Sequence, residues 1–176
     1  LHAPYDEDAA RRPVGSYGAS KAAGEAAVLE AHPQAICVRT SLSWDPAGMD
    51  RSTRGFAERL ARGEPLHLFT DEIRCPLPRG VLAEALVDLL DLPVAGPLHV
   101  AGREALSRHA FGVLLLEHFG VPGRERLLAS RAADLEARGG PLRPRDLRLQ
   151  VGRAERLLGR ALPGVRDVLE GAGPRS

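Results

Sequence analysis

Three short apolar runs, AICVRT (35–40), LHLF (66–69) and GPLHVAG (96–102), are separated by stretches of helical composition. This alternation constrains the fold more than any other feature. Strands that follow one another through helical crossovers lie parallel, so the chain is expected to form an α/β fold with a partly parallel sheet. The first helix is expected over 16–31, rich in Ala, Glu and Leu, with Ser16 as its cap and His32-Pro33 as its stop. After a loop over 43–54 a second is expected at 55–63. A third, over 80–92, carries Val81, Leu82, Ala85, Leu86, Leu89 and Leu90 as one apolar stripe. Ser107 can cap a fourth helix, which ends at Gly120. Residues 71–78 read as a loop. Beyond Gly120 the chain reads as basic and less regular, with a loop over 138–146 and short helices near 153–159 and 164–170.

Composition excludes several classes of function. The formal net charge is +1, so no global field favours nucleic acid or a membrane surface. Aromatic residues are 4% of the chain and form no stacking motif, which also argues against nucleic acid. No apolar run approaches the ~18 residues of a membrane span. Cys37 and Cys75 belong to no metal or CxxC spacing and fit a reducing cytoplasm. The six histidines show no HxH or HExxH pattern, so no metal is expected, and His99 and His118 read as packing or surface residues. Residues 1–16 read as an exposed extended segment, with Asp6, Glu7 and Asp8 solvated.

Of the 24 basic residues, all but Lys21 are arginine. Lys21 lies four residues after Tyr17, inside GSYGASK (15–21), and on a helix those two positions share a face. A free tyrosine, with a pKa of about 10, transfers protons poorly near neutrality. A neighbouring ammonium and a helix N-terminus both stabilise the phenolate and favour that transfer. An ammonium is also a compact donor suited to two vicinal hydroxyls, which a wide guanidinium is not. The plain alternative, an exposed tyrosine beside an exposed lysine, stays open on this spacing alone. Between Arg124 and Arg166 eleven arginines face five acids. There and at Arg74, arginine forks suit the phosphates of a nucleotide, and Arg74, Arg143 and Arg145 are the substrate-binding candidates. A solvated basic face is the alternative.

The run PYDEDAARRPVGSYGASKAAGEAAVLEAHPQAICVRTS resembles the extended short-chain dehydrogenase/reductase family. It is most similar to the dTDP-4-dehydrorhamnose reductase and sugar-nucleotide-binding branch, whose pattern is PYxExD, then PxxxYGxSKxxGE, then a strand ending in RTS. The later DEIRCPLPRGVLAEAL, GPLHVAGREALSRHAF and RPRD followed by GRAERLLG stand in the family's order. The resemblance implies the C-terminal part of a Rossmann-type NAD(P)-binding fold plus a small α/β substrate-binding lobe. Residues 1–42 would be the nucleotide-binding remnant and 43–176 mainly the lobe. It also implies that Tyr17 donates a proton to a carbonyl, that Lys21 holds the nicotinamide ribose of NAD or NADP, and that Thr40, Ser41 and Leu42 contact the nicotinamide end. The substrate would be a sugar nucleotide or similar keto compound. Departures from the pattern, RTSLSW with Leu42 and Trp44, Arg74-Cys75-Pro76-Leu77-Pro78, Asp146, and Gly152-Arg153-Ala154, leave the substrate's identity open.

The sequence contains no Gly-rich turn after an apolar strand to cradle a pyrophosphate. It also lacks the strand that carries the family's catalytic Ser/Thr. A fragment inactive on its own is therefore expected, with exposed strand edges favouring self-association or a homodimer. A non-catalytic binding or regulatory subunit, or a decayed remnant, is the alternative.

Overall fold

A computed structural model describes residues 3–171; residues 1 and 2 of the expected extended segment, and residues 172–176, lie outside the described residues. In chain order the elements are α1 (Ser16–Ala31), β1 (Ile36–Arg39), β2 (Ser43–Trp44), α2 (Arg51–Ala61), β3 (Leu66–Phe69), β4 (Ile73–Arg74) and β5 (Leu77–Pro78). They continue with α3 (Arg79–Leu89), β6 (Gly96–His99), β7 (Leu106–Ser107), α4 (Arg108–His118), a 3₁₀ turn (Arg124–Arg126), β8 (Leu127–Ser130), α5 (Ala132–Ala137), α6 (Gly152–Leu158) and α7 (Val165–Gly171). β1 pairs parallel with β6, Ile36 opposite Gly96 and Arg39 opposite His99. β2–β5 and β3–β8 are also parallel, and only β4–β7 is antiparallel. The mixed α/β architecture expected from the alternation is present. Among the described residues no strand pairs with the other edge of β1.

Local chemistry explains where expected boundaries move. Gly15, with extended backbone, occupies the cap of α1, and Ser16 is the first helical residue with no capping bond. α2 starts at Arg51, four residues before the expected Gly55, because the Asp50 carboxylate accepts from Thr53 N at 2.8 Å. Ser107 does cap α4, its Oγ accepting from Ala110 N at 3.0 Å. The expected loop 71–78 holds β4 and β5, each formed by pairing with a distant partner. The region beyond Gly120 is also more regular than its composition suggests. β8 is completed by β3, and the Asp71 carboxylate caps α5, accepting from Ala132 N at 2.7 Å and Ala133 N at 3.1 Å.

Burial is uneven. One cluster joins Leu77, Ala85, Leu98, Val100, Ala101 and Leu162, all fully buried. A second packs Trp44 against Phe111 edge-to-face, with ring centroids 5.9 Å apart, beside Leu106, Leu115 and Val165. A third gathers Leu60, Leu66, Leu68, Leu116 and Val121. Gly102 sits where backbones nearly touch: a Cβ there would lie 2.0 Å from the Pro76 carbonyl oxygen. By contrast, α1 buries none of its 16 residues. The α3 stripe divides likewise, with Ala85 and Leu89 in the core while Leu86 and Leu90 face outward beside Ile36 and Val38.

Candidate functional site

β1 and β6 run parallel and end side by side at Arg39 and His99, the end of a parallel sheet where α/β proteins place their sites. α1 lies against β1 through charge. Arg39 donates two bonds to the Glu25 carboxylate, at 2.9 and 2.7 Å, and Arg11 adds a third at 3.1 Å. The guanidinium beside Glu25 holds its carboxyl below the usual range, and the same pairing raises Arg39 above its own. Arg39 also donates to the Glu7 carbonyl at 3.0 Å, and the Glu7 carboxylate accepts from His99 N at 3.1 Å. Glu7 is thus built into the fold, contrary to the expectation of a solvated acidic loop. The segment containing it is anchored as well: Tyr5 N donates to Arg148 O at 2.8 Å, and Gln150 N donates to Tyr5 O at 2.7 Å.

His99 is buried, and burial pushes its pKa below the ordinary value. Its Nδ1 lies 3.2 Å from the Gln150 carbonyl, which can only accept, so the ring proton belongs on Nδ1. Nε2 is then an acceptor facing Arg39 at 3.5 Å. A neutral ring satisfies both neighbours. The packing role expected for His99 agrees with this placement.

Residues Tyr17, Lys21 and Thr40 line one open cleft of about 710 Å³ between α1 and β1. Tyr17 is 76% exposed, and the Lys21 ammonium lies 5.5 Å from its ring centroid. Lys21 has no carboxylate partner among the described residues. Ser41 and Leu42 turn the other way: Ser41 Oγ accepts from Cys75 N at 3.0 Å, and the Leu42 carbonyl accepts from Leu77 N at 2.9 Å. One helix turn and one strand end therefore bring together a phenol, an ammonium and a hydroxyl. This arrangement can hold vicinal hydroxyls at Lys21 and offer a proton from Tyr17 to an oxygen beside them.

The arginine candidates form a separate group. Arg74 donates to the carbonyls of Ile73, Pro144 and Arg145, at 2.8, 2.8 and 2.9 Å. Arg143 pairs with Glu72 and lies over the Phe69 ring at 5.1 Å. Arg145 pairs with Glu136. Glu72, only 2% exposed, is the buried centre of this group, 3.6 Å from Arg74. Arg108, the first residue of α4, faces the same carboxylate, and sequence reasoning singled out neither it nor Glu72. A signal for Arg108 was present: a cation at the first position of a capped helix opposes the helix dipole and needs a reason.

A family model described as the RmlD substrate binding domain matches residues 2–172. The chain belongs to that family. It is 35% identical over 170 residues to the probable low-salt glycan biosynthesis reductase Agl14 of Haloferax volcanii, covering 94% of this chain and 55% of that protein. It is likewise 35% identical over 130 residues to the dTDP-4-dehydrorhamnose reductase of Mycobacterium tuberculosis, covering 72% and 42%. The solved dTDP-4-dehydrorhamnose reductase of Bacillus anthracis, in complex with NADP, matches with a TM-score of 0.77 at 24% identity, over 95% of this chain and 58% of that one. The resemblance read from the motif run is upheld, as is the Rossmann-type α/β fold. The chain spans about half the length of the relatives it matches.

Proposed function

We propose that this RmlD-type chain is the catalytic-helix and substrate-binding part of an NAD(P)-dependent reductase acting on a keto-sugar nucleotide. The observation that carries this reading is the shared cleft of Tyr17 and Lys21 at the carboxyl end of the β1–β6 pair. The relatives named as dTDP-4-dehydrorhamnose reductases, and the neighbour solved with NADP, support the substrate and cofactor classes.

The residues present fit one end of a dinucleotide. Lys21 carries no competing carboxylate and can bind two ribose hydroxyls, while Thr40 borders the same space. A bound NAD(P)H would supply hydride to the substrate carbonyl carbon. Tyr17, set in the first turn of α1, holds the proton that the carbonyl oxygen must receive, and the Lys21 charge stabilises the phenolate left behind. The Glu25–Arg39 pair fixes the helix that carries both. The pyrophosphate end finds no Gly-rich turn in this sequence, so tight dinucleotide binding needs a further polypeptide.

The test joins this sequence to a nucleotide-binding half of a relative and follows NADPH oxidation with a dTDP-4-keto-6-deoxy sugar. Tyr17→Phe is expected to abolish reduction with cofactor binding nearly intact, and Lys21→Arg to weaken cofactor binding. Unchanged turnover in Tyr17→Phe would remove that residue from the mechanism. The chain by itself is expected not to bind NADPH at micromolar concentration, and a titration that shows such affinity would overturn that expectation.

A further inference from the structure

Arg108 opens α4, and its backbone N–H donates to the Glu72 carbonyl at 2.9 Å, because β4 and β7 pair just ahead of it. Its side chain is half-buried and lines a pocket of about 70 Å³ shared with Asp50, Ser43, Ser52, Thr53, Phe56 and Phe111. Among the described residues its guanidinium has no hydrogen-bonded partner, whereas Arg74 spends its donors on three carbonyls and Arg143 is paired with Glu72.

The local charges do not balance. Arg145 is matched by Glu136 and Arg148 by Asp146, leaving Arg74, Arg108 and Arg143 around the single buried Glu72. Asp50 is the next carboxylate facing Arg108, and it already caps α2. Burial is the main cause that pushes both Arg74 and Arg108 below the usual arginine range, and neighbouring guanidiniums add to it. The positive end of α4 adds to the same field. Placing a free guanidinium there costs stability unless an anion completes it.

We propose that Arg108 is the primary contact of a phosphate-type anion subsite, with the hydroxyls of Ser43 and Ser52 closing around it. The pocket volume suits one phosphate group, not a nucleoside. The subsite stands apart from the phosphate contacts expected at Arg74, Arg143 and Arg145: the structure commits Arg74 and Arg145 to internal partners and leaves Arg108 free. It deepens the reductase reading, on which its place in a sugar-nucleotide site rests, but the anion chemistry is independent of Tyr17.

The experiment titrates the full chain with inorganic pyrophosphate at low salt by calorimetry, with two-dimensional NMR of the arginine side chains alongside. Saturable binding is expected, with the Arg108 resonance shifting. Arg108→Gln should weaken binding at least tenfold, as loss of a charge-assisted contact does, while Arg108→Lys keeps part of it and Arg156→Gln on α6 keeps all of it. Absence of binding by the wild type, or equal binding by Arg108→Gln, overturns the proposal. If Arg108→Gln does not fold, an Arg108 resonance that stays in place as pyrophosphate binds the wild type overturns it equally. Thymidine diphosphate and NADP⁺ run as parallel probes identify whether the anion belongs to the sugar nucleotide or the dinucleotide. A reconstituted enzyme carrying the wild-type sequence that fails to reduce while pyrophosphate binding persists counts against the reductase reading alone.

Discussion

α1 and α3 both flank the β1–β6 pair, yet they are held by opposite means. α3 places Ala85 and Leu89 in a core where Leu77, Leu98 and Val100 are fully buried. α1 buries nothing and is fastened by Glu25, Arg39 and Arg11. Apolar packing is strong, undirected and tolerant of pH. A charge clamp is directional, weaker and dependent on protonation. The helix bearing Tyr17 and Lys21 is thus held by directional charge contacts, whereas α3 is held by buried apolar surface.

The largest blow to the packed side should come from Gly102→Leu. A side chain there drives into the Pro76 carbonyl, and loss of cooperative folding is expected by circular dichroism. Leu98→Ala, which empties a fully buried site, should cost about 3 kcal/mol in urea unfolding. A cost under about 1 kcal/mol would mean that this core is loosely packed. On the clamped side Glu25→Gln should cost only about 1 kcal/mol, yet amide exchange should accelerate selectively along α1. Uniform acceleration across the lobe would show that the two regions are not separable. The smallest effect is expected at Leu90→Ser, 80% exposed, within about 0.5 kcal/mol of wild type.

Acid should divide the regions in sequence. The folded state disfavours protonated His99, so stability falls as pH drops below about 6.5, when the unfolded chain takes up a proton that the native state resists. Glu25 is depressed when folded, so its contribution is full above its unfolded value and is lost as pH falls through its folded one, a loss that begins at a lower pH than that of His99. Unfolding free energies measured from pH 7 to pH 3 check this order. In His99→Gln the earlier slope should vanish and the later one remain.

Much of this was legible because it was local. The bounds of α1, the strand over 66–69 and the Ser107 cap follow from propensity, alternation and a hydroxyl in the right place. Tyr17 and Lys21 share a face by helix periodicity alone, and Thr40 joins them through the strand that follows. What was not legible depends on partners distant in sequence. β8 exists because β3 pairs with it, and the Glu72 centre needs Arg74 on β4, Arg108 on α4 and Arg143 beyond α5. Arg74, Arg143 and Arg145 looked equally available in the sequence, and only their partners distinguish them from Arg108.

The Asp71 cap on α5 carries a consequence for the order of events during folding. A six-residue helix does not persist alone, and the carboxylate that closes its first turn lies about sixty residues earlier in the chain. The β3–β8 junction must therefore form across that long loop before α5 can settle, closing a span as long as the one between β1 and β6. Glu136 on α5 then draws in Arg143 N and the Arg145 side chain.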